Sequence, residues 1–142
     1  MSNGASAGND PDRDKQFRDE RLREKRLRAN AFGLRAETLA AYYLRCKGWR
    51  ILATRYKVRG GEIDIIARRG SLVIFVEVKA RPTLLLAGES ITLQKHRRIS
   101  HAVRLWLARN PWAMDRTLRG DAIFFAPRAW PSHVPDAFPL AV

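Results

Sequence analysis

The chain has 142 residues, 27 Lys and Arg against 14 Asp and Glu, and a single cysteine, Cys46. That length suits one domain, large enough to bury a core without disulfides or a structural metal, and one cysteine excludes both a disulfide framework and a multi-cysteine zinc site. No apolar run is long enough to cross a membrane as a helix, and the N-terminus lacks the apolar stretch of a secretory signal, so the expected location is the cytoplasm.

The charge is unevenly spread. Residues 1–30 carry 8 basic and 6 acidic side chains, whereas residues 31–142 carry 19 and 8, an excess of +11 in the foldable part. A surface of that sign attracts polyanions, nucleic acid being the commonest. A merely solvated basic surface is the plain alternative.

In chain order, residues 1–12 are rich in Gly, Ser, Asn and Asp, and are expected to be disordered. Residues 13–29 alternate acid and base, and suit either a solvated helix held by i,i+4 pairs or a frayed segment. The expected domain plan is therefore a charged extension over 1–29, a folded domain over 30–126 and a Pro-rich tail over 127–142.

The first core helix is expected from about Asn30, as N-cap, to Lys47, with Gly48 beyond its end. Phe32, Ala36, Leu39, Ala40, Tyr43 and Leu44 make its apolar stripe. Three strands follow at Arg50–Tyr56, Glu62–Ala67 and Leu72–Lys79, the last reading L-V-I-F-V-E-V-K. Gly60-Gly61 breaks the first pair, and Arg69-Gly70-Ser71 suits a hairpin turn. A loop leads to a second helix over Thr92–Arg109, with Ile99, Ala102, Val103 and Trp106 as its stripe and Asn110-Pro111 as its stop. A fourth strand is expected at Gly120–Ala126. Prolines at 127, 131, 135 and 139 then exclude a regular helix or central strand, leaving an extended surface tail. The order α-β-β-β-α-β implies an α/β fold, a mixed sheet flanked by helices.

Carboxylates that interrupt the apolar pattern mark the candidate site. Strict alternation sets Asp64 opposite to both Ile63 and Ile65. Glu77 stands in an apolar run, where an unpartnered carboxylate costs several kcal/mol. If the second and third strands pair as a hairpin, Asp64 and Glu77 approach each other, and Lys79 projects beside Glu77. Glu37 lies on a small, apolar helix face with Ala40, Ala41 and Leu44, and so points toward the sheet or a partner. An Asp followed by Glu-x-Lys on adjacent strands suits metal-dependent phosphodiester hydrolysis: the carboxylates bind a hard cation, and the lysine orients or deprotonates water, or balances developing charge. An exposed Glu–Lys ion pair is the plain alternative for a bare E-x-K.

Four segments, G-L-R-A-E-T-L-A-A-Y-Y-L, G-W-R-I-L-A-T-R-Y, G-G-E-I-D-I-I-A and L-V-I-F-V-E-V-K-A-R, resemble the YraN-like family of bacterial proteins. That family is similar to archaeal Holliday-junction resolvases of the PD-(D/E)XK nuclease superfamily. The resemblance covers about residues 31–125. It implies a restriction-endonuclease-like core, with Glu37, Asp64, Glu77 and Lys79 as active-site positions and Mg²⁺, with Mn²⁺ as the substitute, held by Glu37, Asp64 and Glu77. It further implies a helix flanking the site from Lys95 and Arg98, branched or structured DNA as substrate and, by extension from the two-fold symmetry of a junction, a homodimer. Ile63 stands where the superfamily usually has a proline before its first acid.

Arg81, Lys95, Arg97 and Arg98 are the candidate phosphate contacts. Glu62, on the Asp64 face, suits either a metal or a rim ion pair. Trp112 and Trp130 are candidates for base stacking, while His96 and His101 read as surface or interface residues. The expected activity is thus a Mg²⁺-dependent endonuclease. Its rivals are a non-catalytic nucleic-acid-binding protein with an idle site, and a protein-interaction adaptor.

Overall fold

The computed structural model describes residues 11–80, 92–126 and 128–142, with the side chains of 29–34 excepted. The chain divides into two compact units, Met1–Phe32 and Gly33–Val142. Helix α1 (Pro11–Cys46) begins in the first and ends in the second. The helix thus starts well before Asn30, which is an interior position and not a cap. Residues 13–28 are almost all good helix formers spaced to make i,i+4 ion pairs, and nothing among them breaks the run. Their side chains are exposed throughout.

The second unit is built on a five-stranded mixed sheet in the order β1-β2-β3-β4-β5. Its strands are β1 (Arg50–Val58), β2 (Gly61–Arg69), β3 (Leu72–Ala80), β4 (Thr117–Phe125) and β5 (Ser132–Phe138). The first three form an antiparallel meander, and Gly70, at a φ of 60°, closes the β2–β3 turn in the left-handed region that glycine tolerates. Strand β4 runs parallel to β3, a pairing that requires the crossover through α2 (Leu93–Arg109). A short 3₁₀ turn, Pro111–Asp115, leads from α2 into β4.

The tail holds the strand that the proline spacing obscured. Residues 132–138 pair antiparallel with β4 at the sheet edge, where a proline costs no ladder bond. The architecture is therefore a mixed sheet flanked by helices, with β5 added to the expected order.

Each sheet face buries its own cluster. Ile66, Val73 and Phe75 pack with Ile99, Ala102, Val103 and Trp106 of α2. Ile65, Ala67, Ile74, Val76 and Ile123 pack with Ala40, Ala41 and Leu44 of α1, and with Trp49. The α2 stripe is the expected one. On α1 the small residues face the sheet, and Leu39, expected in the stripe, stands exposed on the flank. Thr92 caps α2 by accepting the Lys95 N–H. At the other end the Asn110 side-chain amide donates to the Trp106 carbonyl at 2.9 Å.

Gly61 is required by packing. A β-carbon there would lie 2.2 Å from the Arg98 carbonyl oxygen, so its absence lets β2 run directly beneath α2. This explains the second glycine of the pair without any phosphate. Gly60, at a φ of 83°, makes the turn.

Candidate active site

The site forms where β2 and β3 part. Their ladder runs from Arg69↔Leu72 to Ile65↔Val76, and one further step would set Asp64 opposite Glu77. The Asp64 side chain enters at that point, and its Oδ2 accepts the Val78 N–H at 2.8 Å. A carboxylate thus satisfies a backbone donor at the mouth of the opening.

Strict alternation fails in β2. Ile63 packs in the α2 cluster and Ile65 in the α1 cluster, so the chain changes faces across Asp64. Arg55, opposite Asp64 in the β1–β2 register, has a φ of 51°. The left-handed Arg55 interrupts the pleat of β1 at the point where β2 changes faces. The swap turns Asp64 out of a regular strand face and into the gap.

Glu77 is 2% exposed and Lys79 7%. Lys79 Nζ stands 3.7 Å from Glu77 Oε1, and Lys95 Nζ is in direct contact with the same oxygen. Lys95, expected as a phosphate contact on a flanking helix, therefore also belongs to the site. Burial is the strongest single influence and works to lower its ammonium pKa, but the Glu77 charge together with the hydrogen bonds to Glu77 and Lys79 outweighs burial and raises it.

Asp64 shows the opposite strain. Burial above all, then the Glu77 charge and, more weakly, that of Glu37, push its pKa from 3.8 to about 8, against the pull of the Val78 N–H. Its carboxyl group also hydrogen-bonds that of Glu77. Two carboxylates this close and this enclosed do not both ionise unaided; they share a proton or need a positive charge beside them.

Glu37 stands beside this pair, engaged by Arg55, whose Nε donates to it at 2.8 Å. Among the described residues, no group of three His, Cys, Asp or Glu is drawn together as a ready-made cation cage. The donor set on hand is Asp64 with Glu77. Such a pair fits a hydrated Mg²⁺, which keeps several waters and takes one or two protein carboxylates.

Around the site, Glu62, Thr92, Gln94, Lys95, Arg98 and Ile99 line a shallow cleft of about 270 Å³. Arg97 and Arg98 are exposed on α2, whereas Arg81 lies outside the described residues. The two histidines of α2 are engaged with the fold. His96 stacks on Phe138 with ring centres 5.4 Å apart, and His101 Nε2 lies 3.0 Å from the Arg59 carbonyl.

A second polar cluster lies on β4. Asp121 is fully buried and takes both Nε and Nη2 of Arg119, at 2.7 and 2.8 Å. It also meets His133 Nε2 at 2.7 Å and accepts the Asp136 N–H at 3.1 Å. Burial opposes its charge, but these bonds outweigh burial and hold its pKa down at about 2. Asp121 is thereby a staple between β4 and β5. Its β5 partners lie 12 and 15 residues away, beyond the reach of local pattern.

Residues 36–125, from within α1 to the end of β4, match the model of the uncharacterised protein family UPF0102. A UPF0102 protein of Methylorubrum extorquens (strain PA1) is 55% identical over 108 residues, covering 76% of this chain and 84% of the relative. One from Methylocella silvestris is 56% identical over 108 residues, covering 76% and 87%. UPF0102 protein BCAN_A0183 of Brucella canis is 51% identical over 106 residues, covering 75% and 84%. With the matched segment spanning every residue of the Asp64–Glu77 site, the chain belongs to the UPF0102 family, the YraN-like family that its G-G-E-I-D-I-I-A and V-E-V-K segments resemble.

Proposed function

We propose that the protein is a metal-dependent endonuclease that hydrolyses phosphodiester bonds in branched or structured DNA. The observation that carries this reading is the Asp64–Glu77 carboxyl pair, set in the opening between two strands with Lys79 and Lys95 against it. A buried acid lifted to about 8 beside a second carboxyl group suits a divalent cation, which would favour the ionised form of both. The +11 excess over residues 31–142 supports a polyanionic substrate. Branched DNA and the homodimer come from the resemblance to resolvases; the cytoplasmic location is the expectation read from the sequence. Among the described residues, no helix is long and apolar enough to cross a membrane.

Asp64 and Glu77 would hold Mg²⁺ or Mn²⁺, which when bound supplies Lewis-acid polarisation of the phosphate and a water of lowered pKa. The chain's own groups do the rest. Lys79 holds the attacking water or takes its proton, and then balances the charge that builds on phosphorus-bound oxygen. Lys95, released from Glu77, is placed to meet a phosphate oxygen. Glu37, fixed by Arg55, keeps the local potential negative so that a cation is drawn in.

A second reading, an idle site on a nucleic-acid-binding protein, is favoured by one observation: the Lys95 ammonium already balances Glu77. Cleavage assays on linear, flap and four-way DNA with Mg²⁺ or Mn²⁺ separate the two. Metal-dependent nicking that Asp64→Asn abolishes supports the nuclease. Tight DNA binding with no cleavage of any substrate refutes it in favour of the idle site.

A further inference from the structure

Trp130 is 89% exposed, more than any other large apolar side chain described. The other three tryptophans are used by the fold. Trp49 and Trp106 are buried, and Trp112 packs edge-on to Trp106 at 6.0 Å with the Arg68 guanidinium 5.1 Å from its ring centre. A single exposed apolar side chain is ordinary on a protein surface, but an indole presented almost whole to solvent leaves both of its ring faces open for stacking.

At this tip the backbone immediately beside Trp130 is constrained. Arg128 sits in the left-handed region at a φ of 59°, the Ala129 N–H donates to the Ala126 carbonyl, and Pro131 follows. A residue before proline is confined to extended conformations, so the Trp130 backbone loses little freedom on binding. Arg128, itself exposed, adds a cation two residues away.

The tip also lies on the same end of the sheet as the site. Lys79, Phe124 and Ser132 stand in one row across β3, β4 and β5. At about 4.8 Å per strand and about 3.3 Å per residue, the Trp130 backbone is about 12 Å from that of Lys79. That distance is about three to four nucleotide steps of about 3.4 Å.

We propose that Trp130 is a stacking platform for an unpaired nucleobase, engaged about three to four nucleotides from the phosphate that Lys79 and Lys95 meet beside Asp64 and Glu77, with Arg128 on the adjoining backbone. A paired base within a duplex has both faces covered by its neighbours, so a protruding indole finds a free face only where bases are unpaired. The platform makes the protein prefer DNA that is partly opened beside the scissile bond. It rests on the nuclease reading for its substrate class, but its test needs no cleavage.

The test uses the full chain in EDTA, with a fully paired duplex and a duplex of equal length carrying a short single-stranded gap. Trp130→Ala is expected to weaken binding to the gapped DNA roughly five- to a hundredfold, while changing binding to the paired duplex by less than about twofold. Trp130→Phe keeps most of the affinity. Oligothymidine quenches the tryptophan fluorescence of the wild type, and most of that quenching disappears in Trp130→Phe. An unchanged melting temperature shows that both variants fold. If Trp130→Ala binds both DNAs as the wild type does, or loses both equally, the platform is refuted and the nuclease reading stands. If the wild type binds neither DNA, both fall.

Discussion

Asp64→Asn removes a charge that the folded protein resists. In the wild type the carboxyl group titrates near 3.8 when unfolded and near 8 when folded. Between those values the unfolded chain releases a proton that the native one keeps. The wild type therefore loses stability as pH rises from about 4 to about 8, the sign expected for an acid whose native pKa is raised. At about 1.4 kcal/mol per pH unit, the ceiling on that loss is roughly 5–6 kcal/mol. Lys95 balances part of the Glu77 charge that bears on Asp64, so about 2–4 kcal/mol is the expected gain for the variant at pH 8–9. Asparagine keeps an oxygen for the Val78 N–H and offers an amide donor to Glu77, so no cavity or orphaned donor offsets the gain. Urea unfolding in metal-free buffer at pH 4, 6 and 9 reads it directly: wild type and variant should nearly coincide at pH 4 and diverge above. Millimolar Mg²⁺ should then stabilise the wild type alone, since only it keeps both carboxylates. A variant less stable than the wild type at pH 9, or a gap that does not grow with pH, would refute a strained acidic pair.

Lys79→Ala is expected to lower the single-turnover cleavage rate about 10²–10⁴-fold while leaving Mg²⁺ binding, followed by calorimetry, within a few-fold of wild type. Asp121→Asn breaks the charged half of the β4–β5 staple and should cost about 2 kcal/mol at pH 7. A native pKa near 2 means that this contribution is complete above about pH 4 and is lost as pH falls toward 2, so the two proteins should converge in acid. Hydrogen exchange should show the loosening at residues 132–138 first. Gly61→Ala forces a β-carbon against the Arg98 carbonyl and should destabilise the fold by about 1–3 kcal/mol, as overpacking does. Because Lys95 rides on the displaced helix, the pKa of Asp64, followed by NMR, should move as well.

The meander, α2 and the C-terminal part of α1 were readable because apolar spacing decides them: Ile99, Ala102, Val103 and Trp106 could face only one way, whereas the charged first half of α1 has no apolar stripe to mark its start. The carboxylates were readable for the opposite reason, since Glu77 has no cause to lie in an apolar run unless something engages it. What stayed hidden depends on backbone conformation or distant partners. The face swap at Asp64 coincides with a left-handed arginine on the neighbouring strand, which no periodicity reveals. Lys95 looked like one basic residue among several, because only the register of α2 above β3 brings it to Glu77. Strand β5 was obscured by prolines that forbid a central strand but permit an edge.

The two edges of the sheet share one further property. An open edge is a row of free N–H and C=O groups that invites another chain to add a strand. On β5, Pro135 lacks an N–H and Asp136, at a φ of 52°, bends the strand beside the irregular register at Gly120/Ala122. On β1, Arg55 breaks the run at its middle, with Arg50, Lys57 and Arg59 charging the same border. Neither border offers a long, flat, neutral template. The residue opposite Asp64 thus also guards the protein against fibrillar self-association, so replacing Arg55 with a β-branched residue would straighten the strand at the risk of aggregation.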